Sequence, residues 1–333
     1  MSYKPTIVVV DYHKGNLSSV ARGLERVGGH AVVSDDPAVI RAADGIVLPG
    51  VGAFYDAITF MRESGQDQAV IDAVAGGEGT PFLGICLGMQ LLFERGTEGV
   101  PADEELEAAH EGSASLGRSA SDSCPLGAGE APGDVDGGMR AAASGASVSY
   151  SVGEAAASAL EALVPGDVFE ADGERWVRGL GVLPGSCTLL PSHRLKVPHV
   201  GWDQLHKTPA GAACPLLDGV AEGVNVYFTH SYALEDDAAT SDVAARTFYA
   251  RDFASVVWRG NAYGCQFHPE KSSAHGLDIL RNFVRIVAEH AQAGEAKGEG
   301  VVADACASSS KEAAEVKGEA PVADAHAEGG AAR

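Results

Sequence analysis

Three side chains in two distant segments of this 333-residue chain have the types and spacing needed for nucleophilic catalysis. Cys86 stands between Gly84 and Gly88, the spacing of a nucleophile elbow, where the backbone bends sharply between a strand and a helix. The unpaired N–H groups of a helix start favour the thiolate over the thiol. His268 and Glu270 lie two residues apart, so on an extended backbone they project from one face. A carboxylate can then orient an imidazole that acts as base toward the thiol, and we predict a Cys–His–Glu triad.

A lone cysteine is more often a small buried hydrophobic residue, so the elbow alone would not identify a nucleophile. The segment with His268 and Glu270 favours the catalytic interpretation. The loop at 49–52, with sequence PGVG, follows a predicted strand at 45–48 and should reach the same sheet edge as Cys86. Its bare backbone could offer an N–H to an oxyanion alongside the N–H of Leu87. Taken alone, this loop is more often a simple turn.

The elements that must position these residues alternate between strands and helices in the first half of the chain. The run TIVVVDY at 6–12 is typical of a buried parallel strand. Further strands are predicted at 30–34, 45–48 and 81–85, with helices at 16–28, 53–63 and 68–75 and a helix after Cys86 that carries Leu87, Leu91 and Leu92 on one face. From 176 onward, short closely spaced strands indicate antiparallel hairpins, and a last helix is predicted at 276–292. The pattern predicts an α/β fold with a mixed, mainly parallel sheet, flanking helices and an antiparallel extension.

Composition divides the chain into one domain and two appendages. Residues 1–98 and 173–292 together have the composition of a folded domain. Residues 99–172 carry 14 acidic side chains and only Arg118 and Arg140 as basic ones, with few aromatic residues, and we expect an acidic, low-complexity, disordered insertion. Residues 293–333 contain a loose repeat and are expected to form a disordered, acidic, low-complexity tail.

Charge and cysteine spacing exclude several classes of function. The net charge of −22 argues against a nucleic-acid-binding surface. The six cysteines form no C-x-x-C pair, so neither a metal site nor a dithiol redox site is predicted, and no cofactor is expected. No signal-peptide pattern and no apolar run long enough to cross a membrane is present, which predicts a cytoplasmic protein with reduced thiols.

Six stretches together resemble a known family. GICLGMQLLF around Cys86 and QFHPEKS around His268 are similar to the two signatures of the class I, triad-type, glutamine amidotransferases, whose fold is flavodoxin-like. DYHKGNLSSV at 11–20, LPGVGAF at 48–54, KVPHVGWDQL at 196–205 and YFTHSYAL at 227–234 narrow the resemblance to the glutaminase subunits of imidazole glycerol phosphate synthases. The resemblance covers nearly all of the chain outside the insertion and the tail.

The resemblance implies a two-protein reaction in histidine biosynthesis. Glutamine would be hydrolysed here through a thioester on Cys86, while His268 protonates the departing ammonia and Glu270 orients the imidazole. The ammonia would pass to a separate (β/α)₈ cyclase subunit, bound as a heterodimer, which converts the ribulosyl substrate PRFAR to imidazole glycerol phosphate and AICAR. Rival interpretations are the amidotransferase subunit of an anthranilate or aminodeoxychorismate synthase, and a catalytically silent partner-binding subunit.

The same resemblance assigns roles to further residues. The oxyanion would be bound by the backbone N–H groups of Leu87 and of Val51, the latter after a peptide rotation that follows partner binding. Contacts to glutamine, chiefly through the backbone, are implied for Gly52, Gln90, Thr229, Ser231 and Tyr232. Lys271 and Trp202 are expected at the cyclase interface, although on sequence alone they would be a solvated lysine and a core tryptophan.

The chain departs from the family pattern at a few positions. His13 replaces a usual glycine, which leaves the first loop undefined, and Val200 and Asp203 replace a usual methionine and asparagine near the expected interface. The insertion and the tail are either tolerated surface additions or, for the acidic insertion, a regulator of access to glutamine or the cyclase.

Overall fold

The computed structural model describes residues 4–74, 79–102, 149–150, 160, 162–193 and 195–315. Its first half contains β1 (Thr6–Val10), α1 (Leu17–Arg26), β2 (His30–Ser34), α2 (Pro37–Arg41), β3 (Gly45–Gly50), α3 (Phe54–Ser64), α4 (Gln66–Val74), β4 (Phe82–Cys86) and α5 (Leu87–Gln90). It continues with β5 (Phe93–Gly96), β6 (Ser149–Tyr150), β7 (Val168–Ala171), β8 (Glu174–Arg178), β9 (Leu183–Leu189), β10 (His199–Gln204), β11 (His206–Lys207), β12 (Asn225–His230), β13 (Tyr232–Leu234), β14 (Val243–Tyr249), β15 (Arg251–Arg259), β16 (Ala262–Cys265) and α6 (Ser273–Glu315).

An eight-stranded sheet brings the two chemically important segments together. Its strand order is β11-β14-β15-β16-β4-β3-β1-β2. The strands from β16 to β2 run parallel to one another, while β11, β14 and β15 extend the sheet in antiparallel fashion. The predicted mainly parallel sheet with an antiparallel extension is therefore confirmed. Because β4 lies between β3 and β16, Cys86 pairs with Gly50, and its neighbour Ile85 pairs with Cys265, three residues before His268.

The central strands are buried on both faces, which explains their continuous apolar runs. Alternate residues of β1 enter two different cores. Ile7 and Val9 pack in the core that includes Leu24 of α1 and Phe283 of α6. Val8 and Val10 pack in the core that includes side chains of α3 and α4. Burying each such aliphatic side chain, relative to leaving it exposed, contributes about 1.5–3 kcal/mol to the free energy of folding.

A second sheet corrects the predicted domain boundary at 172/173. Its strand order is β13-β9-β5-β8-β7-β6, and β7 and β8 form a hairpin across that boundary. Ala171 pairs with Glu174, and the two linking residues, Asp172 and Gly173, have φ of 55° and 77°. This Asp-Gly type I′ turn is a strong hairpin signal, which the averaged composition of 99–172 concealed. Most of that stretch lies outside the described residues, so its predicted disorder stays a prediction.

Two helices differ in length from those predicted. The helix after Cys86 spans only Leu87–Gln90. The carbonyl groups of Leu91 and Leu92 instead accept hydrogen bonds from Leu180 and from Leu183 at the start of β9, so tertiary contacts override helix propensity. The last helix continues to Glu315 rather than ending at 292, in a stretch rich in Ala, Glu and Lys, which favour helices. Residues up to Ala288 form one compact unit, which contains the candidate site. In the described part of the chain, no helix is long and apolar enough to span a membrane.

Candidate active site

Cys86 has the backbone conformation of a nucleophile elbow. It ends β4 with φ 55° and ψ −110°, a strained combination for a residue with a side chain. A Cβ on Gly88 would lie 1.7 Å from the carbonyl oxygen of Leu48, and one on Gly84 would lie 2.5 Å from that of Gly88. Only glycines allow the elbow to pack this tightly against the sheet. The cysteine side chain is buried and is presented at the N-terminus of α5.

His268 and Glu270 form a buried, hydrogen-bonded pair. His268 Nδ1 lies 2.8 Å from Glu270 Oε1, and the two side chains are 3% and 1% exposed. A carboxylate only accepts hydrogen bonds, so Nδ1 carries the proton and Nε2 is left for other chemistry. The main chain holds the ring in place as well, since the N–H of His268 donates to the carbonyl of Tyr227 at 2.9 Å and Ser272 Oγ donates to the carbonyl of His268 at 2.6 Å.

The surroundings of His268 favour its protonated form. Burial by itself lowers the pKa of the ring, but the Cys86 thiol and the Glu270 carboxylate outweigh it and raise the pKa to about 10. Nε2 is buried and has no hydrogen-bond partner among the described residues. An imidazolium beside a cysteine sulfur is the arrangement in which the sulfur can attack as a thiolate and the ring can give a proton to a leaving group.

Four of the five residues predicted to contact glutamine lie on β12, on β13, between these two strands, or on α5, whereas Gly52 lies in the loop after β3. The Cys86 thiol lies 3.8 Å from the carbonyl oxygen of Thr229, which brings β12 to the nucleophile. Gln90 is 3% exposed and its Nε2 donates to the carbonyl of Tyr232 at 2.8 Å. Ser231 connects β12 to β13, and its carbonyl accepts from the N–H of Leu190. Thr229 thus lies next to Cys86, and Gln90 contacts the backbone of Tyr232, which directly follows Ser231.

A cavity of about 660 Å³ opens beside Tyr232. Its lining combines acidic, basic and neutral polar side chains: Thr97, Glu174, Arg175, Thr188, Leu189, Tyr232 and Glu235. The β7–β8 hairpin therefore supplies one wall. Glu98 follows Thr97 in the chain, and its carboxyl has a pKa raised to about 7. Burial is the main cause. The hydrogen bond from the N–H of Phe54 lowers the pKa, and the nearby charge of Asp56 raises it. Burial, and secondarily the Glu98 carboxyl, raises the pKa of Tyr232.

The loop predicted to bind the oxyanion begins next to the nucleophile. Gly50, the last residue of β3, pairs with Cys86, and Val51, which follows, is 41% exposed. Gly52 has φ 113° and lies against Lys14, whose ammonium pairs with Asp56 at 2.6 Å. Leu87 begins α5, so its N–H has no intrahelical acceptor.

The first loop takes a glycine-like conformation despite its histidine. His13 has φ 62°, in the left-handed region, and its N–H donates to Asp11 Oδ1 at 2.8 Å. Its ring packs edge-on against Phe60 with centroids 4.8 Å apart. These contacts account for a side chain where glycine was expected.

The residues predicted to meet a partner are exposed near the site. On β10, Val200 and Trp202 are 57% and 53% exposed, and Lys271 is exposed three residues after His268. Trp202 packs edge-on against Tyr227 with centroids 5.9 Å apart. Asp203 Oδ2 lies 3.7 Å from His199 Nε2, so the residue that replaces asparagine contacts a buried histidine.

Two buried polar residues at the site were not predicted from the sequence. The Tyr12 hydroxyl is buried without a hydrogen-bond partner among the described residues, and a Cβ on Gly50 would lie 2.2 Å from it. Burial, and secondarily Cys86, raises the pKa of Tyr12. Gln266 is fully buried and its Nε2 lies 3.6 Å from Cys86 Sγ. The only sequence signal for Gln266 was its place two residues before His268. Over the described ranges, no group of three or more His, Cys, Asp or Glu side chains has an arrangement that could hold a metal ion.

Comparison with known proteins agrees with this geometry. Residues 8–287 match the family model described as "Glutamine amidotransferase class-I". The chain is also 36% identical over 287 residues to the "Imidazole glycerol phosphate synthase subunit HisH" of Geobacillus sp. (strain WCH70), covering 84% of this chain and 97% of the relative. The subunit of the same name from Syntrophotalea carbinolica is 35% identical over 284 residues, covering 83% of this chain and 98% of the relative. The chain belongs to the class I glutamine amidotransferases and, within that class, to the HisH family.

Proposed function

We propose that this chain hydrolyses L-glutamine and delivers the ammonia to the cyclase subunit of an imidazole glycerol phosphate synthase. The observation that carries the proposal is the buried His268–Glu270 pair, 2.8 Å apart, whose ring pKa is raised by a cysteine at a nucleophile elbow. Membership of the HisH family supports the choice of substrate and partner. The proposed setting is the cytoplasm, where a free thiol such as Cys86 stays reduced.

The reaction follows from the order in which the three side chains can act. Cys86 Sγ attacks the side-chain carboxamide carbon of glutamine and forms a C–S bond, and the carbonyl electrons move to oxygen. The oxyanion then re-forms the carbonyl, and the C–N bond breaks as His268 gives its Nε2 proton to the nitrogen, so that ammonia leaves. Water attacks the thioester, and His268 takes a proton from it. The C–S bond breaks, glutamate leaves and the thiolate returns, while Glu270 keeps the ring oriented throughout.

Backbone N–H groups stabilise the negative oxygen in this scheme. Leu87 offers one from the start of α5, and Val51 offers a second after rotation of the Gly50–Val51 peptide. The glycines on either side of Val51 keep the steric cost of that rotation low. The exposure of Val51 leaves it open to a partner that could favour the rotated form.

Glutamine would lie between the nucleophile and the mixed-charge cavity. Gly52, Gln90, Thr229, Ser231 and Tyr232 would surround its side chain and backbone. The cavity beside Tyr232 offers both acidic and basic side chains, including Glu235 and Arg175, which suit the ammonium and carboxylate ends of an amino acid.

The partner would be a (β/α)₈ cyclase that binds as the second half of a heterodimer. The exposed side chains of Trp202, Val200 and Lys271 support this docking face, because a large aromatic residue with half its surface exposed is typical of an interface centre. The ammonia would leave the site at this docking face and pass to the cyclase. There it would react with PRFAR, which the cyclase converts to imidazole glycerol phosphate and AICAR.

A coupled assay tests the proposal. Glutamate release is measured for the full chain alone, with cyclase, and with cyclase plus its ribulosyl ligand, and Cys86→Ala is the control. We expect very low hydrolysis by the isolated chain, a rise of orders of magnitude in the complete mixture, and none with Cys86→Ala. Full glutaminase activity without the partner would contradict the activation, and glutamate release by Cys86→Ala would contradict the mechanism.

A further inference from the structure

A line of buried hydrogen bonds connects Cys86 to the backbone of β13 through two glutamine side chains. Gln90 Nε2 donates to the carbonyl of Tyr232 at 2.8 Å and to Gln266 Oε1 at 3.0 Å. Gln266 Nε2 then donates to Cys86 Sγ at 3.6 Å. Gln90 and Gln266 are 3% and 0% exposed, so water cannot replace these contacts. A buried amide beside the sulfur, held in turn by a second buried amide, requires an explanation.

The direction of each bond in this line is fixed by chemistry. The carbonyl of Tyr232 can only accept, so the amide nitrogen of Gln90 must face it. The second hydrogen of that nitrogen needs an acceptor, which must be the amide oxygen of Gln266. The nitrogen of Gln266 therefore faces the sulfur of Cys86 as a donor. The reversed orientation of Gln266 would place two donors face to face.

The carbonyl oxygen of Tyr232 also takes part in a second series of buried hydrogen bonds, made by two histidine side chains. His230 Nδ1 lies 2.8 Å from the carbonyl oxygen of Tyr232, so Nδ1 carries the proton and Nε2 accepts. The acceptor faces His199 Nδ1 at 3.1 Å. Burial holds His230 in its neutral form by lowering its pKa to about 3. The Tyr232 carbonyl is thus a fixed anchor for the Gln90 amide.

These contacts favour one ionisation state of the nucleophile. In the thiol form, the S–H can donate to the carbonyl of Thr229 at 3.8 Å while the sulfur accepts from Gln266. When the proton leaves, the Thr229 carbonyl no longer attracts the sulfur, whereas the Gln266 donor and the His268 ring both still do. A hydrogen bond to a charged atom is about twice as strong as one to a neutral atom, so the Gln266 contact strengthens on ionisation. We propose that Gln266 is a further catalytic residue that stabilises the Cys86 thiolate, and that Gln90 is a positioning residue that fixes the Gln266 amide. This inference rests on the proposed role of Cys86 as the nucleophile.

Gln266→Met tests the inference because methionine keeps the length of the side chain and removes the N–H donor. The matched control is Gln66→Met, since Gln66 is also fully buried and its Nε2 donates to the carbonyls of Asp11 and Asp35, both at 3.0 Å, away from the triad. The full chain is alkylated with iodoacetamide across a pH series, and modification of Cys86 is followed by peptide mass spectrometry with Cys86→Ala as blank.

We expect Gln266→Met to move the midpoint pH of Cys86 alkylation upward by about one unit, the equivalent of one hydrogen bond to a charged group, and to lower glutamine turnover about tenfold. Gln66→Met should leave the midpoint in place even if it lowers stability. Equal midpoints in Gln266→Met and the unmodified chain would overturn the inference.

Gln90→Met is a second variant in case Gln266→Met does not fold. It leaves the Gln266 amide in place but frees it to turn, so an upward shift of about half a unit is expected, and no shift would overturn the inference. If neither variant shifts the midpoint, but Cys86 of the unmodified chain is alkylated and supports glutamine turnover, the role of Gln266 is ruled out and the proposed function stands. A Cys86 that is neither alkylated nor needed for turnover would overturn both.

Discussion

The main-chain N–H of His268 donates to the carbonyl oxygen of Tyr227, 2.9 Å away, and Tyr227 pairs directly with the exposed Trp202. Two residues further along β12, the carbonyl of Thr229 lies 3.8 Å from Cys86 Sγ. One strand thus contacts both reacting groups through its carbonyls, while its neighbour β10 exposes the predicted docking face. A partner that moves β10 has a direct structural route to His268 and Cys86.

The first prediction concerns that docking face. Trp202→Ala should weaken binding to the cyclase at least tenfold, because a half-exposed tryptophan at an interface centre typically contributes about 2 kcal/mol or more. Phe248→Ala is the control, since Phe248 is 66% exposed on β14, outside the predicted face. Isothermal titration of each variant with cyclase gives the dissociation constants. Equal losses in the two variants would show that Trp202 is not at the interface centre.

The second prediction concerns the charge that Glu270 provides. Glu270→Gln can keep a hydrogen bond to His268 but removes the negative charge that helps to raise the pKa of the ring. We expect turnover to fall by about 10²–10⁴-fold with the protein still folded, by analogy with loss of the carboxylate in other triads. Steady-state glutamate release and a circular dichroism spectrum measure the two effects. Turnover within tenfold of the unmodified chain would rule out an essential orienting charge.

The third prediction concerns stability on the acid side of neutral pH. Folded His230 stays neutral down to pH about 3, whereas an unfolded histidine takes up a proton near 6.5. The unfolded state binds more protons between these values, so the free energy of unfolding falls as pH drops through this window. His230→Asn should flatten this part of a urea-denaturation series recorded against pH. An unchanged slope would contradict the neutral assignment of His230.

The fourth prediction concerns stability on the alkaline side of neutral pH, where the free energy of unfolding should change with pH in the opposite direction. Folded His268 keeps its proton up to about pH 10, so the folded state binds more protons between 6.5 and 10 and loses stability as pH rises through that range. His268→Asn should flatten the alkaline limb of the same denaturation series. The two histidine variants should therefore change opposite sides of the curve, and the same change in both would contradict these charge states.

The fifth prediction concerns the buried hydroxyl of Tyr12. An unsatisfied buried hydroxyl costs about 1–3 kcal/mol, so Tyr12→Phe should raise the free energy of unfolding by about 1 kcal/mol. The matched control is Tyr249→Phe, because the Tyr249 hydroxyl donates to the carbonyl of Lys196 at 2.6 Å and its loss should be destabilising. Urea denaturation compares the two. Equal destabilisation would mean that the Tyr12 hydroxyl has an acceptor in solution.

The sequence predicted the parts of the fold and site that depend on local pattern. The apolar run of β1 and the glycines around Cys86 indicated the parallel sheet and the elbow, because burial and tight turns restrict residue type locally. His268 and Glu270 do pair, but not on the extended backbone that the sequence argument assumed, because Glu270 lies in the short 3₁₀ helix Pro269–Lys271 that follows His268.

The remaining features depend on contacts between distant residues. Gln266 lies 180 positions from Cys86, and nothing near it in the chain indicates that its amide reaches the sulfur. The short α5 results from carbonyl groups of Leu91 and Leu92 that accept hydrogen bonds from Leu180 and Leu183, which no helix periodicity records. The Asp172–Gly173 turn was a local signal, but an average over an acidic stretch hid it.

The proposed mechanism requires Cys86 to be the nucleophile of a glutamine-hydrolysing triad. Its most direct test is to incubate the full chain with a glutamine analogue that carries an electrophile in place of the amide, and to locate the label by peptide mass spectrometry. We expect one label per chain, on Cys86, with protection by glutamine, strongly slowed labelling in His268→Asn, and no labelling in Cys86→Ala. Labelling elsewhere at the same rate, or an unlabelled Cys86 in the presence of cyclase and its ligand, would contradict the proposed mechanism.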